Sequence, residues 1–437
     1  CGMGDGMNAP ASNRARHLTR QRIALGGGVL SRLLAPSMHR VLDRLDIGLA
    51  EGGIEATLPD GEFRILGCRK PGPVAQVDLA DWRALLHLIA GGSAGWYRAW
   101  DLGQWSSPDP VVLFDLFMRN RVPLGQSARS RGPWRLLGKL RHWLRDNSPA
   151  KARRNIEYHY DLGNDFYELW LDETMSYSSA LFADARAEGD GEPLESAQRR
   201  KIDALLDRLA LKDGSRLLEI GCGWGGLAAR ACERFAINYR GITLSVEQQR
   251  AAEARAATCP EASKLAFTLT DYRDVLKEEG AASFDAIASV EMVEAVGQKY
   301  WPAYLDSIAA NLKPGGRAGL QYIRIADDIF ESYASSADFI QTYIFPGGML
   351  LSESRFRALA EERGLRWTDQ RDMGLDYART LKLWRERFDA AVDAGQLPPG
   401  FDDRFVRLWR YYLMYCEGGF RGGGIDVAQV TLIKERP

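Results

Sequence analysis

The stretch LLEIGCGWGG, residues 217–226, constrains the fold of this chain more than any other segment. Its apolar beginning predicts a buried strand that ends at Ile220, and the glycines of Gly221–Gly225 predict a tight turn before a helix. In an open α/β sheet, a ligand binds at the carboxyl end of the first strand, where glycine lets the backbone approach it closely. The segment therefore predicts a ligand-binding sheet; a plain strand-to-helix turn is the alternative.

The glycine spacing and the acid that precedes it indicate which ligand binds. A bare GxGxxG is also compatible with dinucleotide binding. Here the tighter GxGxG spacing of Gly221, Gly223 and Gly225, together with Glu219, favours S-adenosylmethionine over a nicotinamide cofactor. The second strand ends without the usual acid for ribose hydroxyls and offers Thr243, Ser245 and Gln248 instead.

Strands and helices alternate after about residue 200. Short apolar runs predict buried strands at Arg216–Ile220, Tyr239–Thr243, Leu265–Thr270, Phe284–Ser289, Arg317–Ile323 and Val427–Ile433. Helical patterns lie between them, as at Leu227–Phe235 and Val246–Ala257. The alternation predicts a parallel sheet with helices on both faces.

Polar residues follow the third and fourth predicted strands. Tyr272 could stack on adenine and Asp271 could meet its amino group. The fourth strand runs into two carboxylates, Glu291 and Glu294, which are placed to meet a charge on a substrate or cofactor. The alternative for either glutamate is a carboxylate in the first turn of a helix, stabilised by the helix dipole.

The near-zero net charge hides an asymmetry. Residues 1–155 carry 23 Lys and Arg against 13 Asp and Glu, and the remainder is correspondingly acidic. Residues 129–154 are basic and interleaved with Trp and Leu, which is typical of an interfacial helix, although a solvated linker has the same composition. The segment Val111–Arg121 has one apolar helical face, either packed within its own domain or touching lipid. No nucleic-acid module accompanies these patches, so an anionic lipid is favoured over nucleic acid.

Composition excludes several other classes. The cysteines include no CxxC pair and the histidines no HxxxH spacing, so no metal site is expected. No run approaches the roughly 18 apolar residues of a membrane span, and the first 22 residues lack the apolar core of a secretory signal. A cytoplasmic location is therefore expected.

Beyond residue 150 the chain resembles the cyclopropane fatty acid synthase family, which includes mycolic acid cyclopropane synthases and tuberculostearic-type fatty acid C-methyltransferases. The matching stretches run in the family's order. They are NIEYHYDLGNDFYELWLDETMSYSSALF (155–182), LLEIGCGWGG (217–226), GITLSVEQQ (241–249), DYRD (271–274), SVEMVEAVG (289–297), LKPGG (312–316), FIQTYIFPGG (339–348), DYARTLKLWRERF (376–388) and YLMYCEGGFRGGGIDVAQVTL (412–432). The first 150 residues resemble the accessory domain of the phospholipid-acting members only through AGWYRAWDLGQWSSPD.

The resemblance implies an α/β fold: a Rossmann-like class I methyltransferase sheet with helices on both faces, plus a smaller N-terminal accessory domain. The expected divisions are a disordered basic tail (1–22), a lipid-interacting accessory domain (23–128), a basic linker (129–154) and a S-adenosylmethionine-dependent catalytic domain (155–437).

The resemblance also implies a set of residues that contact S-adenosylmethionine. The expected contacts are Tyr177, Ser178, Gly221, Gly223, Gly225, Thr243, Leu244, Gln248, Asp271, Tyr272, Arg273 and Val290. Tyr177 and Ser178 would contact the methionine part, and Thr243, Leu244 and Gln248 the adenosine sugar.

Members of this family bind a bicarbonate ion that acts as the base. The resemblance assigns its side-chain contacts to Glu294 and Tyr377 and a backbone contact to Ile323. Ser179 stands where the family usually has Cys, and Gln321 where many synthases have His. An amide can still donate a hydrogen bond at the second position.

The implied function is C-methylation of the cis double bond in unsaturated acyl chains of membrane phospholipid, on the inner face of the membrane. The product is a cyclopropane, or a methylene chain that a separate reductase converts to a methyl branch; a homodimer is allowed for. The alternatives are a methyltransferase for an acyl carrier protein thioester or a small molecule, and a non-catalytic lipid-binding module.

Overall fold

The computed structural model of the protein describes residues 29–127, 162–186 and 191–436, so the predicted basic tail and the predicted linker lie outside the described residues. The α-helices are α1 Val29–Gly48, α2 Arg83–Asp101, α3 Pro110–Arg119, α4 Arg121–Ser127, α5 Asn164–Glu168, α6 Leu194–Arg208, α7 Gly226–Arg234, α8 Val246–Ala256, α9 Val275–Glu279, α10 Trp301–Asn311, α11 Asp327–Ala334, α12 Phe339–Tyr343, α13 Glu353–Glu361, α14 Gly374–Asp393 and α15 Asp403–Arg421. The β-strands are β1 Gly53–Thr57, β2 Phe63–Gly67, β3 Val74–Leu79, β4 Trp105–Ser106, β5 Arg216–Ile220, β6 Asn238–Thr243, β7 Leu265–Leu269, β8 Phe284–Val290, β9 Leu312–Ile325, β10 Leu365–Asp372 and β11 Ile425–Lys434.

A seven-stranded sheet forms the centre of the catalytic part, in the order β10-β11-β9-β8-β5-β6-β7. Strands β5 to β9 pair in parallel, and their side chains are mostly buried because helices cover both faces. The predicted α/β class and the predicted strands of this sheet are confirmed. The carboxyl ends of β5, β6 and β8 meet at one edge, where the chain order reverses and a ligand site is expected.

The sheet is antiparallel at one side, a feature that the alternation of strands and helices did not predict. Strand β11 pairs antiparallel with β9, from Ile425 opposite Ile325 to Ile433 opposite Arg317, and β10 pairs antiparallel with β11. Strand β11 thus enters the sheet between two earlier strands. A run of buried residues such as 427–432 does not reveal strand direction, because both faces of β11 are covered.

The front part of the chain contains a small sheet that the sequence patterns did not predict. Its order is β2-β1-β3-β4, with β1 parallel to β3 and antiparallel to β2. These strands are short and interrupted by Gly and Pro, so their alternation extends over few residues. Helix α3 covers most of the segment Val111–Arg121, which was predicted to have one apolar helical face.

Helix α3 packs on helix α15 of the catalytic part, which neither interpretation of its apolar face anticipated. A Cβ built at Gly418 would lie 2.4 Å from the Cβ of Phe114, and one at Gly422 would lie 2.4 Å from the Cβ of Met118. Only glycine permits this approach. The aromatic ring of Phe114 also lies 5.3 Å from that of Tyr411, so one core joins the two parts.

Within the described part of the chain, no helix combines the length and the apolarity that crossing a bilayer would require.

The substitution Gly418→Ala should separate α3 from α15, because its Cβ would also lie 2.7 Å from the carbonyl oxygen of Val111. Overpacking of this kind lowers the free energy of unfolding by about 1–3 kcal/mol. The measurement is urea denaturation of the full chain. As a control, Gly91→Ala adds a methyl group that meets nothing within 4 Å and should change stability by less than about 0.5 kcal/mol. Equal stability of the two variants would contradict the close-packing argument.

Candidate active site

The glycine turn after β5 leaves bare backbone at the sheet edge. Gly221, Gly223 and Gly225 have φ values of 83°, 51° and 80°, a region that residues with a Cβ rarely adopt. A Cβ at Gly221 would lie 2.9 Å from Cγ of Met292. Gly221 and Gly223 border a cavity of about 770 Å³, so a ligand there can contact the backbone directly.

Side chains from the next strands continue this wall. Thr243 follows β6 and donates its hydroxyl hydrogen bond to Oε1 of Gln248 at 2.9 Å, which fixes both side chains. Tyr272, beyond β7, is buried, and its hydroxyl group has no hydrogen-bond partner among the described residues. Its ring lies between that of Tyr304 and the Arg273 guanidinium, which is 5.2 Å from its centroid. A nucleoside bound here could form a hydrogen bond with the unpaired Tyr272 hydroxyl and contact the backbone of the glycine turn.

Asp271 is less available than the sequence suggested. Its two carboxylate oxygens accept hydrogen bonds from Arg273, at 2.7 Å from Nε and 2.5 Å from Nη2. Burial acts to raise the pKa of Asp271, but these bonds outweigh it and the pKa is lowered. The carboxylate therefore stays charged and paired.

Two carboxylates border the cavity where β8 ends, and the first of them accepts hydrogen bonds from three donors. Oε1 of Glu291 accepts hydrogen bonds from the backbone N–H of Ser179 at 2.9 Å and from Nε2 of Gln321 at 2.8 Å. Its Oε2 accepts one from the Tyr377 hydroxyl at 2.7 Å. The amide of Gln321 is oriented by Gln429, whose Nε2 donates to its Oε1 at 3.0 Å. Glu291 thus joins three distant segments of the chain.

The second carboxylate, Glu294, has one partner. The backbone N–H of Ile323 donates to its Oε1, and its buried Oε2 has no hydrogen-bond partner among the described residues. Burial and the neighbouring charge of Glu291 raise the pKa of Glu294 to about 8. Glu294 is therefore mostly protonated at neutral pH. Two carboxylates in one dry site divide in this way because both cannot ionise cheaply.

A buried lysine lies behind this site. Nζ of Lys201, on α6, donates to Oγ of Ser178 at 2.6 Å. Burial lowers the pKa of Lys201 to about 8, while the charges of Glu291, Asp172 and Glu219 act to raise it. A cation here favours the ionised form of Glu291.

The far end of the cavity is apolar and reaches into the front part of the chain. Its apolar walls include Leu88, Trp96, Phe117, Met118, Leu124, Ile325, Ile329, Ile340, Phe345, Met349, Leu381, Tyr412 and Phe420. Val122 borders the cavity and is 40% exposed, and Ser332 and Ser336 opposite it are exposed as well. The cavity therefore opens to the surface between α4 and α11.

The structure brings most of the predicted site residues to this cavity. Its walls include Tyr177, Gly221, Gly223, Thr243, Leu244, Gln248, Asp271, Tyr272, Arg273, Val290, Glu294, Ile323 and Tyr377. Two predicted cofactor contacts do not border the cavity. Ser178 accepts a hydrogen bond from Lys201, and Gly225 immediately precedes α7 and packs closely against Ala252. Ser179 and Gln321 are buried behind Glu291 and do not border the cavity.

Sequence reasoning named Glu291 beside Glu294 but assigned it no catalytic or cofactor-binding role, and it left Lys201 out of the site. Glu291 had a signal, since it stands three residues before Glu294 at the end of a predicted strand. Lys201 had one too, because it shares the buried face of α6 with Ala197 and Leu205, four residues to either side.

Comparisons with known proteins agree with this geometry. The family described as mycolic acid cyclopropane synthetase matches residues 147–430. Tuberculostearic acid methyltransferase UfaA1 of Mycobacterium tuberculosis is 41% identical over 360 residues, which cover 79% of this chain and 80% of that protein. Cyclopropane-fatty-acyl-phospholipid synthase of Escherichia coli K12 is 38% identical over 287 residues, 65% of this chain and 69% of that protein.

A solved structure is similar as well. The mycolic acid cyclopropane synthase CmaA1, complexed with SAH and CTAB, superposes with a TM-score of 0.58 at 32% identity. The match covers 64% of this chain and 98% of that chain. The α/β sheet described above is thus the class I methyltransferase sheet.

The substitution Gly221→Ala should weaken S-adenosylmethionine binding, because the new methyl group would occupy the wall and meet Met292. We expect Kd to rise at least about tenfold, which is about 1.4 kcal/mol, measured by titration calorimetry. Gly214→Ala is the matched control: it has a similar φ of 82°, nothing lies within 4 Å of its Cβ, and it is away from the cavity. Equal affinity of the two variants would contradict the assigned position of the cofactor.

The substitution Glu294→Gln should change how stability depends on pH. Between the ordinary pKa of 4.5 and the folded-state pKa of about 8, the unfolded chain releases a proton that the folded chain retains. The free energy of unfolding of the wild type therefore falls as pH rises through that interval. Glutamine imitates the neutral carboxyl, so the variant should gain at least about 1 kcal/mol relative to the wild type across it.

Urea denaturation at a series of pH values measures this gain. The control Glu247→Gln removes a side chain that is 55% exposed and should leave the pH dependence as in the wild type. Parallel curves for Glu294→Gln and the wild type would show that Glu294 is ionised in the folded protein.

Proposed function

This chain belongs to the mycolic acid cyclopropane synthetase family and is an S-adenosylmethionine-dependent methyltransferase, and from that premise we propose that it methylates the cis double bond of unsaturated acyl chains in membrane phospholipid. The product is a cyclopropane or a methylene-branched chain. Its relatives are named for tuberculostearic acid and for a fatty-acyl-phospholipid, which supports an acyl chain as the substrate.

One observation carries the proposal: a single cavity connects the glycine turn at Gly221 to an apolar tunnel that opens beside Val122. A polar end suits the cofactor, and an apolar end suits a long hydrocarbon chain. The carboxylates and tyrosines lie between the two ends. A small polar substrate would not need the apolar length of this tunnel.

S-adenosylmethionine supplies an electrophilic methyl group when it is bound along Gly221, Thr243 and Tyr272. An isolated double bond is a weak nucleophile, so the chain must hold it in line with that methyl group and away from water. The tunnel walls do both. Methyl transfer leaves a positive charge on the acyl chain, and the aromatic rings of Tyr177, Tyr377 and Tyr412 beside the cavity can stabilise it.

The resemblance implies bicarbonate as the base, and the residues present do not fit that ion. The donors assigned to it already bond carboxylates of the chain itself: Ser179, Gln321 and Tyr377 bond Glu291, and the N–H of Ile323 bonds Glu294. Two of these residues reach the cavity only through Glu291. No step is therefore assigned to bicarbonate.

The proposal of membrane contact rests on exposed apolar side chains of α2 that lie next to a residue of the tunnel wall. On helix α2, Leu88 borders the cavity, while its neighbours Leu86 and Ile89 are 38% and 52% exposed. Exposed apolar side chains beside an apolar tunnel suit contact with the bilayer from which an acyl chain enters. We assign the protein a peripheral position on the membrane. Conversion of a methylene chain to a methyl branch needs a hydride donor, and we assign that step to a separate reductase.

Incubation of the full chain with methyl-labelled S-adenosylmethionine tests the substrate. Vesicles of phosphatidylglycerol with a cis-monounsaturated chain should gain the mass of one CH₂ group, and saturated vesicles should gain none. If methyl transfer to the same acyl chain on acyl carrier protein is faster, the acyl carrier protein thioester is the substrate in place of phospholipid. Transfer only to a small molecule would overturn the proposal.

Variants at the surface test the tunnel mouth in the same assay. Val122→Asp places a charge at the opening and should lower kcat/KM on vesicles at least about tenfold, since a charge in an apolar passage costs more than 1.4 kcal/mol. Ile47→Asp is the control, because Ile47 is 71% exposed and does not border the cavity. Equal loss in both variants would contradict this entry route.

A further inference from the structure

The donor arrangement around Glu291 is what a small planar anion would require. Three donors from three separate segments point at one carboxylate: a backbone N–H at Ser179, an amide at Gln321 and a hydroxyl at Tyr377. These three residues are among those that the family resemblance assigns to bicarbonate. In this chain, the side-chain carboxylate of Glu291 occupies the position between the three donors.

The backbone at Glu291 is held in an unfavourable conformation to achieve this. Its φ is +48°, in the left-handed region that residues other than glycine rarely adopt. The N–H of Glu291 donates to the carbonyl oxygen of Gln321 at 2.8 Å, which fixes that conformation. Strain of this kind persists where the surrounding structure enforces it, and it is concentrated at functional sites.

The carboxylate retains the capacity to accept a proton. Two ionised oxygens offer about four acceptor sites in total, and the three donors use three of them. Oε1 accepts two hydrogen bonds and Oε2 only one, so the remaining site is on Oε2. Glu291 borders the same cavity as Gly221 and Tyr177, so its carboxylate can meet a substrate bound there.

The surroundings favour ionisation of this carboxylate over that of Glu294. Burial raises the pKa of Glu291 above its ordinary value, and its three hydrogen bonds and the ammonium of Lys201 limit that rise. The neighbouring Glu294 holds a proton, as its raised pKa of about 8 indicates. The pair therefore carries one negative charge, on the residue with the most donors.

We propose that Glu291 is the catalytic base of this enzyme and takes the place of bicarbonate. This rests on the proposed acyl-chain methylation. After the double bond has formed a bond to the methyl carbon and the carbon–sulfur bond has broken, a C–H bond of the acyl cation breaks. Its electron pair closes the cyclopropane. If a hydride first shifts from the methyl-bearing carbon to the neighbouring cationic carbon, the electron pair of a methyl C–H bond forms the methylene double bond instead. The proton goes to Oε2 of Glu291, which becomes a neutral acid and later releases it to water.

The test compares rates in buffer freed of carbon dioxide with rates in buffer containing added bicarbonate, on cis-monounsaturated phosphatidylglycerol vesicles. The wild type should have the same rate in both, within about twofold. Glu291→Gln keeps the shape and loses the base, so its rate should fall at least about 100-fold in both buffers. Glu291→Gly removes the side chain and leaves the three donors facing a space, so bicarbonate should restore part of its rate.

Folding of the variants is checked separately. Glu291→Gly relieves the strain at φ +48° but leaves three donors without their acceptor, so its melting temperature is measured beside that of Glu291→Gln. Both variants should bind S-adenosylmethionine with unchanged affinity in calorimetry. A lower methylation rate in a variant that folds and binds S-adenosylmethionine then reflects a slower chemical step.

Two results would overturn this proposal alone: a wild type that methylates vesicles only when bicarbonate is added, or a Glu291→Gln variant that retains the wild-type rate in carbon dioxide-free buffer. A wild type that methylates no acyl chain in either buffer would overturn the proposed function, and the role of Glu291 with it.

Discussion

The close approach of α3 to α15 is the contact on which the arrangement of this protein depends. Gly418 and Gly422 on α15 have no side chain, so the backbone of α3 can approach them closely. This contact places Phe117 and Met118 in the cavity wall. Without it, the tunnel would lack one side and Tyr411 would lose its contact with Phe114. The front part of the chain is therefore a component of the substrate site, and its fold cannot be separated from the chemistry.

The second organising feature is the division of charge between Glu291 and Glu294. One carboxylate has three donors. The other has a backbone N–H and one oxygen that lacks a partner in the part of the chain that the structure describes. Because the two differ so much in hydrogen bonding, the same residue type provides an anion and a neutral acid within one site. Gln321 takes part in this, since Gln429 fixes which end of its amide faces Glu291.

Local patterns predicted the parts of the structure that depend on local sequence. The strand–glycine–helix unit at Gly221–Gly225 and the alternation of β5 to β9 each depend on residues that are neighbours in the sequence, and both were predicted correctly. The insertion of β11 between β9 and β10 was not, because alternation carries no information about strand neighbours. The donors on Glu291 come from residues 179, 321 and 377. The sequence indicates that these residues can donate hydrogen bonds, but only the folded structure shows which carboxylate accepts them.

The position of β11 has a consequence for how the protein is made. Strand β11 pairs with β9 along Ile425–Ile433, and α15, just before it, covers Phe114 on α3. Both elements leave the ribosome after everything they join. At about 5–20 residues per second, α3 waits about 15–60 s for its partner, with apolar side chains uncovered and an edge of β9 unpaired. The contact of α3 with α15 and the pairing of β9 with β11 therefore form late in synthesis, and until then the nascent chain exposes apolar surface and a strand edge.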